Sequence, residues 1–313
     1  MKSEPRARIG ELDPAALRGA LAGRGLVLDC GAARIRVRSD VAPLAGMLQT
    51  LYSAYPLQGA DGVFDATVRM HRGRGVRRFF RPQVELLVDG ERPFEPFPAD
   101  TPVPLLEWGI NYTIATRLNN FLLLHAGVVE RGGRAIVLPA LPGSGKSTLT
   151  AALATRGFRL LSDEFGVVRL ADSHLLPMLR PVALKNDSID IVGRWAPEAA
   201  MGPRFPKTRK GTVAHLAPDA AAVDRRNQSA RPAVVIFPRF DASTEFELTP
   251  VMRSRAFARL AVNSFNYELL GPDSFDALTR LIGLSACYEL RYRSLERAVD
   301  ELGKLVAAFD PIH

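Results

Sequence analysis

Ala135-Ile136-Val137-Leu138 runs through Pro139 into Ala140-Leu141-Pro142-Gly143-Ser144-Gly145-Lys146-Ser147-Thr148, and the reading of this stretch decides the fold. The opening residues are apolar and partly β-branched, as in a buried strand. The segment from Ala140 to Thr148 fits the glycine-rich loop that cradles phosphate groups. Gly143 and Gly145 lack a Cβ, so the backbone can curl its N–H groups around phosphate oxygens while the next helix aims its positive end at the same point. In such a loop Lys146 reaches the β- and γ-phosphates, and the Ser147 hydroxyl ligates a magnesium ion that bridges them. Pro142, Gly143, Ser144, Gly145 and Thr148 complete the nucleotide-binding set. Ala140 replaces the first glycine of the usual pattern, which removes little because the two inner glycines make the closest approach. The plain alternative, a glycine-rich turn without a ligand, leaves the lysine and the hydroxyl unexplained.

Downstream, the pattern predicts a short helix from Ser147 through Leu153, stopped at Gly157, and then a strand, Phe158-Arg159-Leu160-Leu161. That strand leads to Ser162-Asp163-Glu164, and Phe165-Gly166-Val167-Val168 continues as strand after a turn or bulge. Carboxylates at the carboxyl end of a strand face the crevice where open α/β sheets bind ligands. Strand neighbours point to opposite faces, so Asp163 and Glu164 can serve one site only if the backbone bends. A lone Asp-Glu pair is more often a solvated turn. Its position 17 residues after Lys146 favours chemistry.

His125-Ala126-Gly127-Val128, the loop, and Leu160-Leu161-Ser162-Asp163-Glu164 together resemble the core of the HPr kinase/phosphorylase family, nearest to its HPr kinase-related kinases, some found beside peptide-modification genes. The close resemblance runs from Leu122 to Val168. It implies a fold akin to phosphoenolpyruvate carboxykinases, with ATP and Mg2+ bound and a phosphoryl group passed to a serine hydroxyl. By the same resemblance Asp163 is the base for the acceptor hydroxyl, Glu164 lies near the metal, and His125 supports the aspartate. Three departures stand out: Pro142 replaces a loop serine, Glu164 replaces an aspartate, and the glycine-rich segment tied to the phosphorylase reaction is not found. Kinase activity is therefore expected rather than reversible phosphorolysis.

Composition fits a soluble enzyme of one or two domains. No apolar run reaches the roughly 20 residues needed to span a bilayer, and Met1-Lys2-Ser3-Glu4-Pro5 lacks a signal peptide's apolar stretch, so a cytoplasmic location without membrane attachment is expected. Cys30 and Cys287 form no disulfide or zinc pattern and read as core thiols. The net charge of +8 has a visible cluster in residues 71–81, His71-Arg72-Gly73-Arg74-Gly75-Val76-Arg77-Arg78-Phe79-Phe80-Arg81. This reads first as a solvated hairpin, and otherwise as a dock for an acidic peptide or protein; without an accompanying motif, nucleic acid is not expected.

Residues 1–104 read as an α+β accessory region: strands at 27–30, 34–38, 64–69 and 84–88, and a helix over 43–54. The proline-rich segment 92–104 is expected to be irregular and to mark a boundary, and a helix from Trp108 to Asn119 leads into the His125 strand. Residues 105–313 form the expected kinase domain. Within it, Pro181–Asn186 reads as a strand, residues 187–206 as a mobile or substrate-specific loop, and Lys207–Leu216 as a basic loop before a strand. Lys185, Arg209 and Lys210 are candidates to contact the transferring phosphate, with exposed loop charge as the alternative. Further helices are predicted over 254–268, 274–284 and 294–309, and Asn266-Tyr267 is placed near the nucleotide base.

The sequence thus predicts an α/β protein with a phosphate-loop kinase core resembling HPr kinase and phosphoenolpyruvate carboxykinase, preceded by an α+β region. The expected reaction is ATP- and Mg-dependent transfer of the γ-phosphoryl group to a serine of a peptide or small protein, such as a modified-peptide precursor. The alternatives are a small-molecule hydroxyl kinase and a nucleotide-binding regulatory module without transfer. The parent family's hexamers give a weak expectation of a homo-oligomer.

Overall fold

The computed structural model describes residues 7–58, 62–73, 82–139 and 143–308, so Pro142 and positions 74–81 of the basic segment lie outside the described residues. Among the described residues the chain is mixed α/β, with three sheets and ten α-helices.

The central eight-stranded sheet owes its form to runs that are apolar on both faces. Its strand order is Leu175–Leu176, Phe165–Arg169, Phe121–Arg131, Arg134–Pro139, Arg231–Phe240, Ala286–Tyr292 and Phe246–Pro250, with Arg159–Ser162 pairing against Phe121–Arg131. Arg134–Pro139, Arg231–Phe240 and Ala286–Tyr292 are parallel neighbours, and the remaining pairs are antiparallel. Side chains alternate: Ile136, Leu138, Val234 and Ile236 pack into one core with Leu149 and Leu153 of helix Lys146–Ala154. Ala135, Val137, Val235 and Phe237 pack into a second core with helices Arg253–Val262 and Pro272–Gly283. Coverage on both sides is what a continuous apolar strand demands.

A five-stranded sheet comprises Leu26–Asp29, Arg34–Ser39, Ala66–Arg72, Gln83–Val88 and Phe97–Pro98. It shares the first core with the central sheet. Its edge is tied to the chain beyond the carboxylates: Ala32 N donates to Pro177 O at 2.8 Å, Leu179 N to Cys30 O at 2.8 Å, and the Tyr55 hydroxyl to Leu179 O at 2.9 Å. These bonds fix the backbone immediately before Arg180. A small third sheet, Val182–Lys185, Gly211–Leu216 and Phe205–Thr208, carries Lys185 and His215.

Three expectations need correction. Helix Pro102–Arg117 starts well before Trp108, because Pro102 and Pro104 occupy its first turn, where missing N–H donors cost nothing; within the segment read as irregular, Phe97–Pro98 also pairs as strand. Residues 187–206 are not one loop: Asp187–Trp195 is a helix that buries Ile189 and Val192, and the prolines 197, 203 and 206 all lie beyond it. Trp195, its last residue, donates to Thr155 Oγ1 at 3.2 Å, with the Arg156 guanidinium 4.7 Å from its ring centroid. The helix predicted over 254–268 divides into Arg253–Val262 and Tyr267–Leu270.

Candidate functional site

The glycine-rich loop joins strand Arg134–Pro139 to helix Lys146–Ala154. Gly143 and Gly145 have φ of 86° and 90°, left-handed values that suit glycine, and Gly145 caps the helix. On the adjacent strand, a Cβ at Gly127 would lie 2.3 Å from Thr150 Oγ1. The glycine of the His125–Val128 stretch therefore lets this helix lie close against the sheet. Thr150 Oγ1 in turn donates to Lys146 O at 2.9 Å, one turn back.

Asp163 is the point of convergence. Lys146 Nζ lies 3.0 Å from its Oδ1 and also donates to its carbonyl oxygen, while Ser147 Oγ donates to its Oδ2 at 2.9 Å. Lys146 and Asp163 are both buried. The backbone bends at residues 163 and 164, between strands Arg159–Ser162 and Phe165–Arg169, so both carboxylates line one cavity. Glu164 Oε1 is 3.8 Å from His125 Nε2, and the imidazole packs edge-on to Phe265. Burial lowers the His125 pKa from its ordinary value against the opposing pull of Glu164. For Glu164 burial acts upward, yet Lys146, His125, Lys185 and Arg180 together hold it below the usual carboxylate range.

Two connected spaces flank this cluster. An open cavity of about 470 Å³ is lined by the loop from Gly143 to Thr148, together with His125, Glu164, Lys185 and Lys210. Adjoining it is an inner cavity of about 40 Å³, whose lining includes Asp163, Glu164, Asn111, Arg180 and His215. Glu164, Ala183, Lys185 and Lys210 belong to both walls. Arg180 is buried; its Nη1 lies 3.1 Å from Glu107 Oε2 and its Nη2 2.5 Å from Asn111 Oδ1, and the Tyr52 hydroxyl donates to Glu107 at 2.6 Å. Burial raises the Glu107 pKa against the pull of Arg180. Ser144 Oγ, Arg180 Nε and His215 Nδ1 are buried without a hydrogen-bond partner, and all three residues line these spaces. Larger clefts of about 700 and 840 Å³ lie beside Trp195 and include none of the carboxylates or lysines just described.

Of the residues singled out in the sequence, His125, Lys146, Ser147, Asp163, Glu164, Lys185 and Lys210 come together here. Arg209 instead lays its guanidinium 5.8 Å from the Phe97 ring centroid. Asn266 is buried, accepting from Leu123 N at 2.9 Å and donating to Phe121 O at 2.8 Å; its amide secures a strand and has no freedom to meet a base. Glu107, Arg180 and His215 were missed, since each approaches from a different element and no local motif announces them. Phe240, 55% exposed beside Gly145, was missed for the same reason.

The donors present are hard oxygens: two carboxylates and one hydroxyl. Among the described residues no group of three or more His, Cys, Asp or Glu could hold a metal ion. The set fits a cation such as Mg2+, which takes one or two carboxylates and draws its other ligands from phosphate and water. No family model matches the chain, and no curated protein matches it.

Proposed function

We propose that this chain is an ATP- and Mg-dependent kinase that transfers the γ-phosphoryl group to a hydroxyl, built on a phosphate-loop core akin to HPr kinase and phosphoenolpyruvate carboxykinase, and acting in the cytoplasm. The observation that carries this reading is the convergence of Lys146 and Ser147, the first two residues of the loop helix, on Asp163, whose neighbour Glu164 lines the cavity rimmed by the loop. Phosphoryl transfer asks little covalent work of a protein; it needs the donor clamped, its charge neutralised and the acceptor oxygen held in line. The N–H groups at the start of helix Lys146–Ala154 supply fixed positive dipoles for phosphate. Lys146 turns from Asp163 to the phosphates when nucleotide enters, and Lys185 and Lys210, which line the same cavity, add positive charge for the transferring group. Ser147 and Glu164 would hold magnesium, which would supply charge neutralisation for the phosphates. Asp163, freed from Lys146, orients the acceptor hydroxyl and takes its proton.

The Ser147–Asp163 bond favours a second division of roles. Asp163 then stands on the metal side, holding the hydroxyl ligand, and Glu164, backed by His125, takes the proton.

The test is transfer from γ-labelled ATP by the purified protein. Under the first assignment Asp163→Asn abolishes transfer and keeps nucleotide binding. Under the second, Glu164→Gln abolishes transfer, while Asp163→Asn raises the magnesium concentration required. Full activity in both variants would remove the carboxylates from the mechanism.

A further inference from the structure

Resting on that kinase reading, we infer that the acceptor is a small hydroxy acid, its carboxylate seated in the inner cavity against Arg180 and His215, with Lys185 and Lys210 at the cavity mouth.

The inner cavity is small, about 40 Å³, and shares four wall residues with the loop cavity. A space of this size suits a small polar group, such as one carboxylate with the carbon that bears it, better than a run of chain. Its position fixes what enters, because Asp163 and Glu164 both line it. A group anchored in this space holds its neighbouring hydroxyl at the carboxylates and faces the loop.

The charge of the walls narrows the choice further. Arg180 and His215 are 6% and 2% exposed, and each keeps a ring or guanidinium nitrogen without a hydrogen-bond partner. Leaving such groups unpaired is costly, which marks the wall as built for a polar occupant. Neither Lys185 nor Lys210 has a carboxylate within ion-pair distance among the described residues: Glu107 is taken by Arg180, Asp163 by Lys146 and Glu164 by His125. Lys210 rests 5.8 Å from the Trp108 ring centroid. Burial, with Lys210 nearby, lowers the Lys185 pKa, as expected where cations await an anion. A neutral sugar would satisfy the orphaned nitrogens but leave the lysines unmatched beyond what the γ-phosphate engages; a carboxylate answers both.

The reaction balances simply. The acceptor oxygen bonds to the γ-phosphorus, the bond from that phosphorus to the β,γ-bridging oxygen breaks, ADP leaves, and the hydroxyl proton passes to the catalytic carboxylate and then to water.

The experiment uses phosphorus NMR of ATP and Mg2+ with the intact protein and four probes: L-serine, D-glycerate, L-serinamide, and a tripeptide ending in serine with a free carboxylate. Nucleotide binding is measured separately, so that its absence would sink the kinase reading itself. With nucleotide bound, at least one free acid is phosphorylated, and L-serinamide falls below L-serine by roughly 10- to 100-fold in kcat/KM, the range for losing charge-assisted hydrogen bonds. The tripeptide decides the source of the carboxylate: it competes with the free acids if chain ends are taken and is inert if only small molecules fit. His215→Gln raises KM for the acid with KM for ATP unchanged. Should that variant not fold, the serine and serinamide comparison stands alone. L-Serinamide as good as L-serine, or nucleotide bound with no acid phosphorylated, overturns the inference.

Discussion

Lowering the pH from 7 to 5 should cost the folded protein about 2 kcal/mol through His215 alone. The imidazole is buried on strand Gly211–Leu216, and burial, reinforced by Arg180 and Lys185, lowers its pKa from 6.5 to about 4. In the folded chain it stays neutral until the pH nears 4, whereas the unfolded chain takes up the proton near 6.5. The unfolded state therefore binds more protons throughout that window, and stability falls as the pH drops through it and levels off below. Each pH unit of difference is worth about 1.4 kcal/mol, giving roughly 3 kcal/mol lost below pH 4 and roughly 2 kcal/mol at pH 5. Urea unfolding of the nucleotide-free protein at pH 7 and pH 5, with His215→Gln as the control that cannot charge, isolates this contribution from every other titrating group. The wild type should lose about 2 kcal/mol more than the variant between the two conditions. Equal losses would show that His215 protonates freely in the folded chain, and the description of His215 as buried beside the cations Arg180 and Lys185 would be wrong.

The remaining predictions concern packing around the same site. Gly127→Ala forces a methyl against Thr150 and should destabilise by about 1–3 kcal/mol in a urea melt; adding Thr150→Ala should recover most of it, and failure to recover would mean the helix and strand are not in the contact described. Glu107→Leu leaves Arg180 buried without its counter-ion and should cost about 3–5 kcal/mol, a loss that Glu107→Leu with Arg180→Met should largely reverse; a fully stable single variant would show that the pair is not buried together.

Strand Arg134–Pro139, the loop, helix Lys146–Ala154 and strand Arg159–Ser162 were legible because each rests on neighbours in the chain: an apolar run, two glycines, a short helical pattern, a glycine stop. The place of Asp163 at the end of that strand followed from the same local order, but its contact with Lys146 did not, since the lysine was expected at the phosphates. Helix Pro102–Arg117 was misjudged at its start because proline stops a helix interior yet fits a first turn, and only the three-dimensional register tells the two apart. The helix Asp187–Trp195 was hidden by prolines that lie just past it. The inner cavity was illegible for a deeper reason. Glu107, Arg180 and His215 come from the helix before the central strand, the segment held by the N-terminal sheet, and a strand of the third sheet. Their meeting is set by sheet docking, which leaves no periodic mark in sequence.

The most direct test of the central claim is calorimetric titration of Mg-ATP into the wild type and Lys146→Ala. The account predicts saturable binding at one site that requires magnesium, weakened at least about tenfold in the variant by loss of a charge-assisted contact to phosphate. No binding of ATP, or an affinity untouched by Lys146→Ala, would contradict it.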